Sequence, residues 1–167
     1  MQESWVELAE FSGYAVSTYG QLMNLKTKRI RKPSLNHQGI AKVTMLCDGR
    51  MYTKSIAVLV ADTFIPQIGG VYDSLINVNG DRLNNSLDNL MRRPRWFALA
   101  YHKQFVDPEF HSRRRRFHLV KPKKEFTSYS DPCVRFGILY KDITRSFVTG
   151  ESIFPTGQVF QIGFGGN

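Results

Sequence analysis

The chain has 167 residues, enough for one compact domain or two small ones. A hydrophobic fraction of 42% excludes a wholly disordered protein, and no window approaches about 18 consecutive apolar residues, so no membrane-spanning helix is expected. The net charge of +9 is unevenly placed: residues 1–91 hold nine Lys/Arg against eight Asp/Glu, residues 92–124 eleven against two, and residues 125–167 three against four.

The opening residues include Glu3, Glu7 and Glu10 and no apolar run, so no secretory signal is expected. Short strands are predicted at Tyr14–Ser17 and over residues 21–25, followed by a basic turn with Lys26, Lys28 and Arg29. A strand over residues 40–46 leads into Asp48-Gly49, a two-residue hairpin signal, and a partner strand over residues 50–53. The apolar run Ile56–Phe64 suits a short buried helix or a strand and ends before Pro66. Gly80 and its Asn and Asp neighbours mark a tight turn, and Asn84, Asn85 and Asn89 are side chains of the kind that bond local backbone and organise a loop.

Residues 95–105 fit a helix, with Trp96, Leu99, Ala100 and Lys103 at helical spacing. The last forty residues, with Gly137, Gly150, Gly157 and Gly163 among β-branched and aromatic side chains, read as loops and strands. Cys47 and Cys133 match no zinc spacing and make no disulfide framework; reduced thiols in a cytoplasm, serving as small core fillers, are expected.

The sequence around Trp5, Gly13–Ser17 and Gly20 resembles the opening of phage HNH homing endonucleases, W-x-x-I-x-G-[FY] followed by Y-x-V-S-x-x-G-x-[VI]. The resemblance continues through Gly39–Leu46 (family G-Y-x-x-V-x-L), Leu59–Ile65 (H-R-L-V-A-x-x-F) and Asn84–Leu90 (N-N-x-x-x-N-L), covering about residues 5–100 in the correct order. It implies an α+β fold: a small N-terminal antiparallel sheet, a degenerate ββα unit and an irregular β-rich C-terminal extension. The corresponding boundaries are 1–53 for a DNA-binding-like sheet module, 54–106 for the HNH unit, and 107–167 for a basic linker and extension.

The same resemblance implies that the chemistry is gone. The family's D-H-x-D-G or N-H-x-D-G signature falls on Ile76–Gly80, so its general-base histidine corresponds to Asn77 and the metal ligand before it to Ile76. The second ligand falls near Ala98, and the histidine that opens the apolar segment corresponds to Ala57. A ββα-metal nuclease needs hard ligands for a divalent ion and an imidazole able to deprotonate water. An amide accepts no proton at useful pH, and isoleucine and alanine ligate nothing. The expectation is a protein that is not an enzyme and has no metal or cofactor.

What remains is a basic scaffold of phage type, expected in the bacterial host cytoplasm or the virion. Two partners are open: double-stranded DNA, or an acidic protein surface such as a virion component or host nucleic-acid machinery. The candidate binding residues are Lys26, Lys28, Arg29, Arg31 and Lys32 near the sheet's turn, then Arg92, Arg93 and Arg95. Arg113, Arg114, Arg115, Arg116, Lys121, Lys123 and Lys124 complete the set. Trp96, Phe97, Tyr101, Phe105, Phe110 and Phe117 interleave with these cations and would either stack on bases or pack a core, with at least half expected in the core.

Overall fold

Short strands separated by tight turns make the N-terminal half a set of antiparallel ribbons. Strands β1 (Trp5–Glu7), β2 (Tyr14–Ser17), β3 (Leu22–Asn24) and β4 (Arg29–Ile30) form one sheet in that order. A second sheet holds β5 (Ser34–Leu35), β6 (Ala41–Cys47) and β7 (Arg50–Ser55), with Cys47 opposite Arg50 across the Asp48-Gly49 turn. Both turn residues have positive φ, 50° and 74°, as the hairpin signal requires. In β6, Ala41, Val43 and Met45 face the core while Lys42, Thr44 and Leu46 face outward.

The apolar run becomes α1 (Ile56–Phe64), resolving the choice between helix and strand. Ile56, Leu59 and Val60, at helical spacing, are buried against Phe11, Tyr14, Val16 and Leu22. The helix stops because Ile65, held extended ahead of Pro66, cannot continue it. The hairpin of β8 (Ser74–Asn77) and β9 (Leu90–Arg93) completes this unit.

The structure, a computed structural model, describes residues 2–67, 69–112 and 114–163. It divides into two units, Met1–Arg95 and Trp96–Asn167. The resemblance implied boundaries at 53/54 and 106/107. Residues 54–95 share the first unit because α1 supplies its core with Ile56, Leu59 and Val60, and β9 adds Leu90.

The second unit holds α2 (Arg95–Gln104, after its first residue), α3 (Pro108–Ser112), β10 (Arg114–Leu119), β11 (Lys124–Ser128), α4 (Ser130–Phe136), α5 (Tyr140–Thr149) and β12 (Phe160–Ile162). Its sheet has the order β11-β10-β12. The α+β class holds, but the C-terminal part carries two helices where the glycine-rich sequence suggested loops and strands. Its core is aromatic: Phe117 is wholly buried and touches Phe126, Tyr129, Phe147 and Phe160.

Gly20 ties the first sheet to the asparagine loop. Its φ is +77°, and a Cβ there would lie 2.7 Å from the backbone oxygen of Asn85. Gly20→Ala should therefore cost about 1–3 kcal/mol from the left-handed backbone alone, and more from the clash. Urea denaturation should show a lower midpoint with an unchanged slope; an unshifted midpoint would mean that the loop moves aside freely.

Candidate nucleic-acid interface

The β3–β4 turn gathers the first cluster of cations. Asn24 Oδ1 accepts hydrogen bonds from the backbone N–H of Thr27 (2.9 Å) and from its hydroxyl, while Lys28 takes a positive φ, so the turn is tight. Lys26, Lys28, Arg29, Arg31 and Lys32 are all exposed. Arg31 also reaches across to β6, donating from Nη2 to the Thr44 carbonyl at 3.3 Å. Five exposed cations within the seven residues 26–32 make this turn and edge strand a positive rim.

Where the resemblance placed catalytic groups, the structure places packing and loop bonds. Ile76 is fully buried. Asn77, also buried, donates from Nδ2 to the Asn84 carbonyl at 2.8 Å and lies 3.5 Å from Asn85 Oδ1. Asn89 donates from Nδ2 to the same Asn84 carbonyl at 2.7 Å, and its Oδ1 accepts from the Asn79 N–H at 2.9 Å. The Leu87 N–H donates to the Thr18 carbonyl and fastens the loop beside Gly20. The asparagines are thus the loop's scaffold, as their spacing suggested. In the second unit Ala98 is buried within α2. Among the described residues no group of three or more His, Cys, Asp or Glu side chains could hold a metal ion.

The remaining cations are not equivalent. Arg92 is buried and forms a 2.7 Å ion pair with Asp62 on α1, so its charge is spent inside the first unit. It is removed from the set of binding residues, because a guanidinium committed to a carboxylate at that distance offers little to a phosphate. Arg93 is half-buried and donates from Nη1 to the Arg92 carbonyl at 2.9 Å. Arg95, Arg114, Arg115, Arg116, Lys121 and Lys123 are exposed, and Lys124 is half-buried with its Nζ 5.4 Å from the centre of the Phe126 ring. Arg113 lies outside the described residues. Of the interleaved aromatics, Phe97, Tyr101, Phe110 and Phe117 are core, Phe105 packs against it, and Trp96 is the exposed one.

The helices that the sequence hid add a feature of their own. Helix α4 ends at Gly137 in the left-handed conformation, and the N–H groups of Gly137 and Ile138 both donate to the Cys133 carbonyl. Three residues, Gly137–Leu139, separate α4 from α5. Gln104 at the end of α2 clamps that turn: its Oε1 accepts from the Tyr140 N–H at 3.1 Å, and the Tyr101 hydroxyl donates to the Cys133 carbonyl at 3.0 Å. Two short helices joined by a three-residue, glycine-bearing turn match the turn length of a helix-turn-helix. The second of them buries Tyr140, Ile143 and Ser146 and exposes Lys141, Arg145 and Val148 at i, i+4 and i+7. Arg145 also pairs with Asp142 at 3.4 Å. Burial raises the Asp142 carboxyl pKa, opposed by Arg145, and burial beside Asp142 pushes the Cys133 thiol well up, so that cysteine is an inert core filler.

The signals for these helices were present. Pro132 sits in the first turn of α4, Gly137 follows its last residue, and Tyr140, Ile143 and Phe147 keep helical spacing.

Residues 3–45 match the NUMOD4 motif. No curated protein sequence matches the chain. A solved structure of the HNH homing endonuclease I-HmuI, described for its DNA binding and cleavage, superposes with a TM-score of 0.54 at 19% identity, covering 98% of this chain and 99% of that one. The chain is therefore similar in fold, over nearly its whole length, to an HNH homing endonuclease, with a NUMOD4 motif at its N-terminal end.

Proposed function

We propose that this protein binds double-stranded DNA on a homing-endonuclease scaffold and does not cut it. The observation that carries the binding half is the pair α4 and α5, joined by a turn of helix-turn-helix length, whose second helix presents Lys141, Arg145 and Val148 to solvent. The NUMOD4 match, a motif found in homing endonucleases, covers the whole of the exposed basic rim from Lys26 to Lys32 and supports the same reading. The endonuclease of similar fold is described as binding and cleaving DNA. The two sets of cations divide the work: those on the turn and edge strands neutralise phosphates, and α5 reads base edges.

The non-cleaving half rests on Ile76 and Asn77. An isoleucine with no exposed surface offers no ligand, and the Asn77 amide spends its N–H on the Asn84 carbonyl. That amide makes the hydrogen bond an imidazole N–H would make there, and it lacks the second, basic nitrogen. The loop is kept and the proton acceptor is lost.

Fluorescence anisotropy with a labelled duplex tests the binding. The affinity should fall steeply as salt rises from about 50 to 200 mM, the logarithm of the binding constant dropping by about 0.9 per phosphate contacted for each unit of log salt. A duplex that fails to bind at low salt, or binding indifferent to salt, would refute the reading.

A further inference from the structure

Strand β10 carries arginines at three consecutive positions, and all three are exposed. A regular strand would turn alternate side chains to opposite faces. Here the register against β11 shifts: Arg114 stands opposite Ser128 and Phe117 opposite Phe126, so Arg115 and Arg116 together face the single residue Thr127. That is a bulge of two residues against one, which re-aims side chains next to the site of disruption. Phe117, the next residue, returns to the core with no exposure at all.

The bulge opens onto a surface groove of about 500 Å³ lined by all three arginines. His111, from the end of α3, closes one side, its ring fixed by a 2.9 Å bond from Nε2 to the Phe105 carbonyl. Hydroxyls supply the facing wall: Thr127, Ser128 and Ser130, the last two 3.1 Å apart. No carboxylate among the described residues lines the groove. Among the described residues, none of the three guanidiniums forms an ion pair, in contrast to Arg92 and Arg145. Their charges are therefore uncompensated within a single concave site.

We propose that this groove is a phosphate-binding site of the second unit that grips the sugar-phosphate backbone of a nucleic acid strand without reading its sequence. Guanidinium forks match phosphoryl oxygens in pairs, and serine and threonine hydroxyls donate to the same oxygens. Among the described residues no Phe, Tyr or Trp lines the groove, and the one ring there, His111, is held by the Phe105 carbonyl, so the contact is with the backbone. The assignment rests on the DNA-binding reading for its physiological ligand and on the groove alone for its chemistry.

The test uses the full chain and the variant R114Q/R115Q/R116Q, with thermal unfolding to show that the variant folds. Binding of a labelled duplex over a salt series should lose up to about 2.7 from the log–log slope, at about 0.9 for each lost phosphate contact, and by the same amount for unrelated duplex sequences. A second arm titrates inorganic pyrophosphate while recording the side-chain Nε–Hε resonances of ¹⁵N-labelled protein. Wild type should show saturable shifts at arginine signals that the variant lacks. A folded variant with an unchanged slope overturns the groove as a backbone site and leaves the DNA-binding reading intact. If wild type binds no duplex, that reading fails and pyrophosphate decides: saturable arginine shifts keep the groove as a phosphate site for free anions, and their absence removes it.

Discussion

Supercoiled plasmid incubated with the purified protein and Mg²⁺ or Mn²⁺ should remain supercoiled. A positioned general base contributes about 10²–10⁴-fold to a proton-transfer step, and Asn77 cannot act as one. A divalent ion would have to be held without a ligand from Ile76, which has no exposed surface. Nicking that disappears on Asn77→Ala would show that the site has been misread; nicking indifferent to that change would indicate a contaminant or another centre. Asn77→His is the sharper variant. Its ring can renew the bond to the Asn84 carbonyl and offer a basic nitrogen, yet it should not restore cutting on its own, because the hydrophobic position before it still binds no metal. Turning Ile76 into aspartate as well would bury a carboxylate without a cation, and the double variant should be less stable in the absence of metal.

The parts of this fold that could be read in the sequence are those fixed by local chemistry. Asp48-Gly49 demanded positive φ at both residues and received it. The Asn84 side chain accepts from the Ser86 N–H and the Asn89 side chain donates to the Asn84 carbonyl, local bonds that their clustering announced. Residues 95–105 showed helical spacing and became α2, which ends at Gln104. What could not be read depends on partners distant in sequence. Arg92 looks like any other member of a basic stretch until α1 brings Asp62, thirty positions earlier, to 2.7 Å. Phe97 and Tyr101 look like stacking platforms among cations until the second unit buries both completely. Helices α4 and α5 were obscured because each is short and closed by glycine, so their turn signals outweighed their periodicity. The arginine groove depended on a register shift of one residue, which no sequence pattern displays.

Replacing Lys26, Lys28, Arg29, Arg31 and Lys32 with glutamine should weaken duplex binding by orders of magnitude and flatten its salt dependence by up to about 4.5 on the log–log slope, five contacts at about 0.9 each. All five side chains are exposed, so stability should change by no more than about 0.5 kcal/mol. Arg31 is the member with a structural bond, to the Thr44 carbonyl, and its contribution is separated by testing Arg31→Gln alone. The loss should be uniform across sequences, because phosphates carry no sequence information. K141A/R145A on α5 should behave differently: a smaller change in slope, and a narrowed gap between the preferred duplex and a random one. Removing Arg145 also frees Asp142, half-buried on the same helix, whose ionised carboxylate then repels phosphate. Part of the loss should therefore be recovered as pH falls and the raised Asp142 carboxyl takes up its proton, whereas the five-glutamine variant should show no such recovery. If the two variants lose affinity in the same way for every duplex, α5 is one more phosphate contact and sequence is read elsewhere.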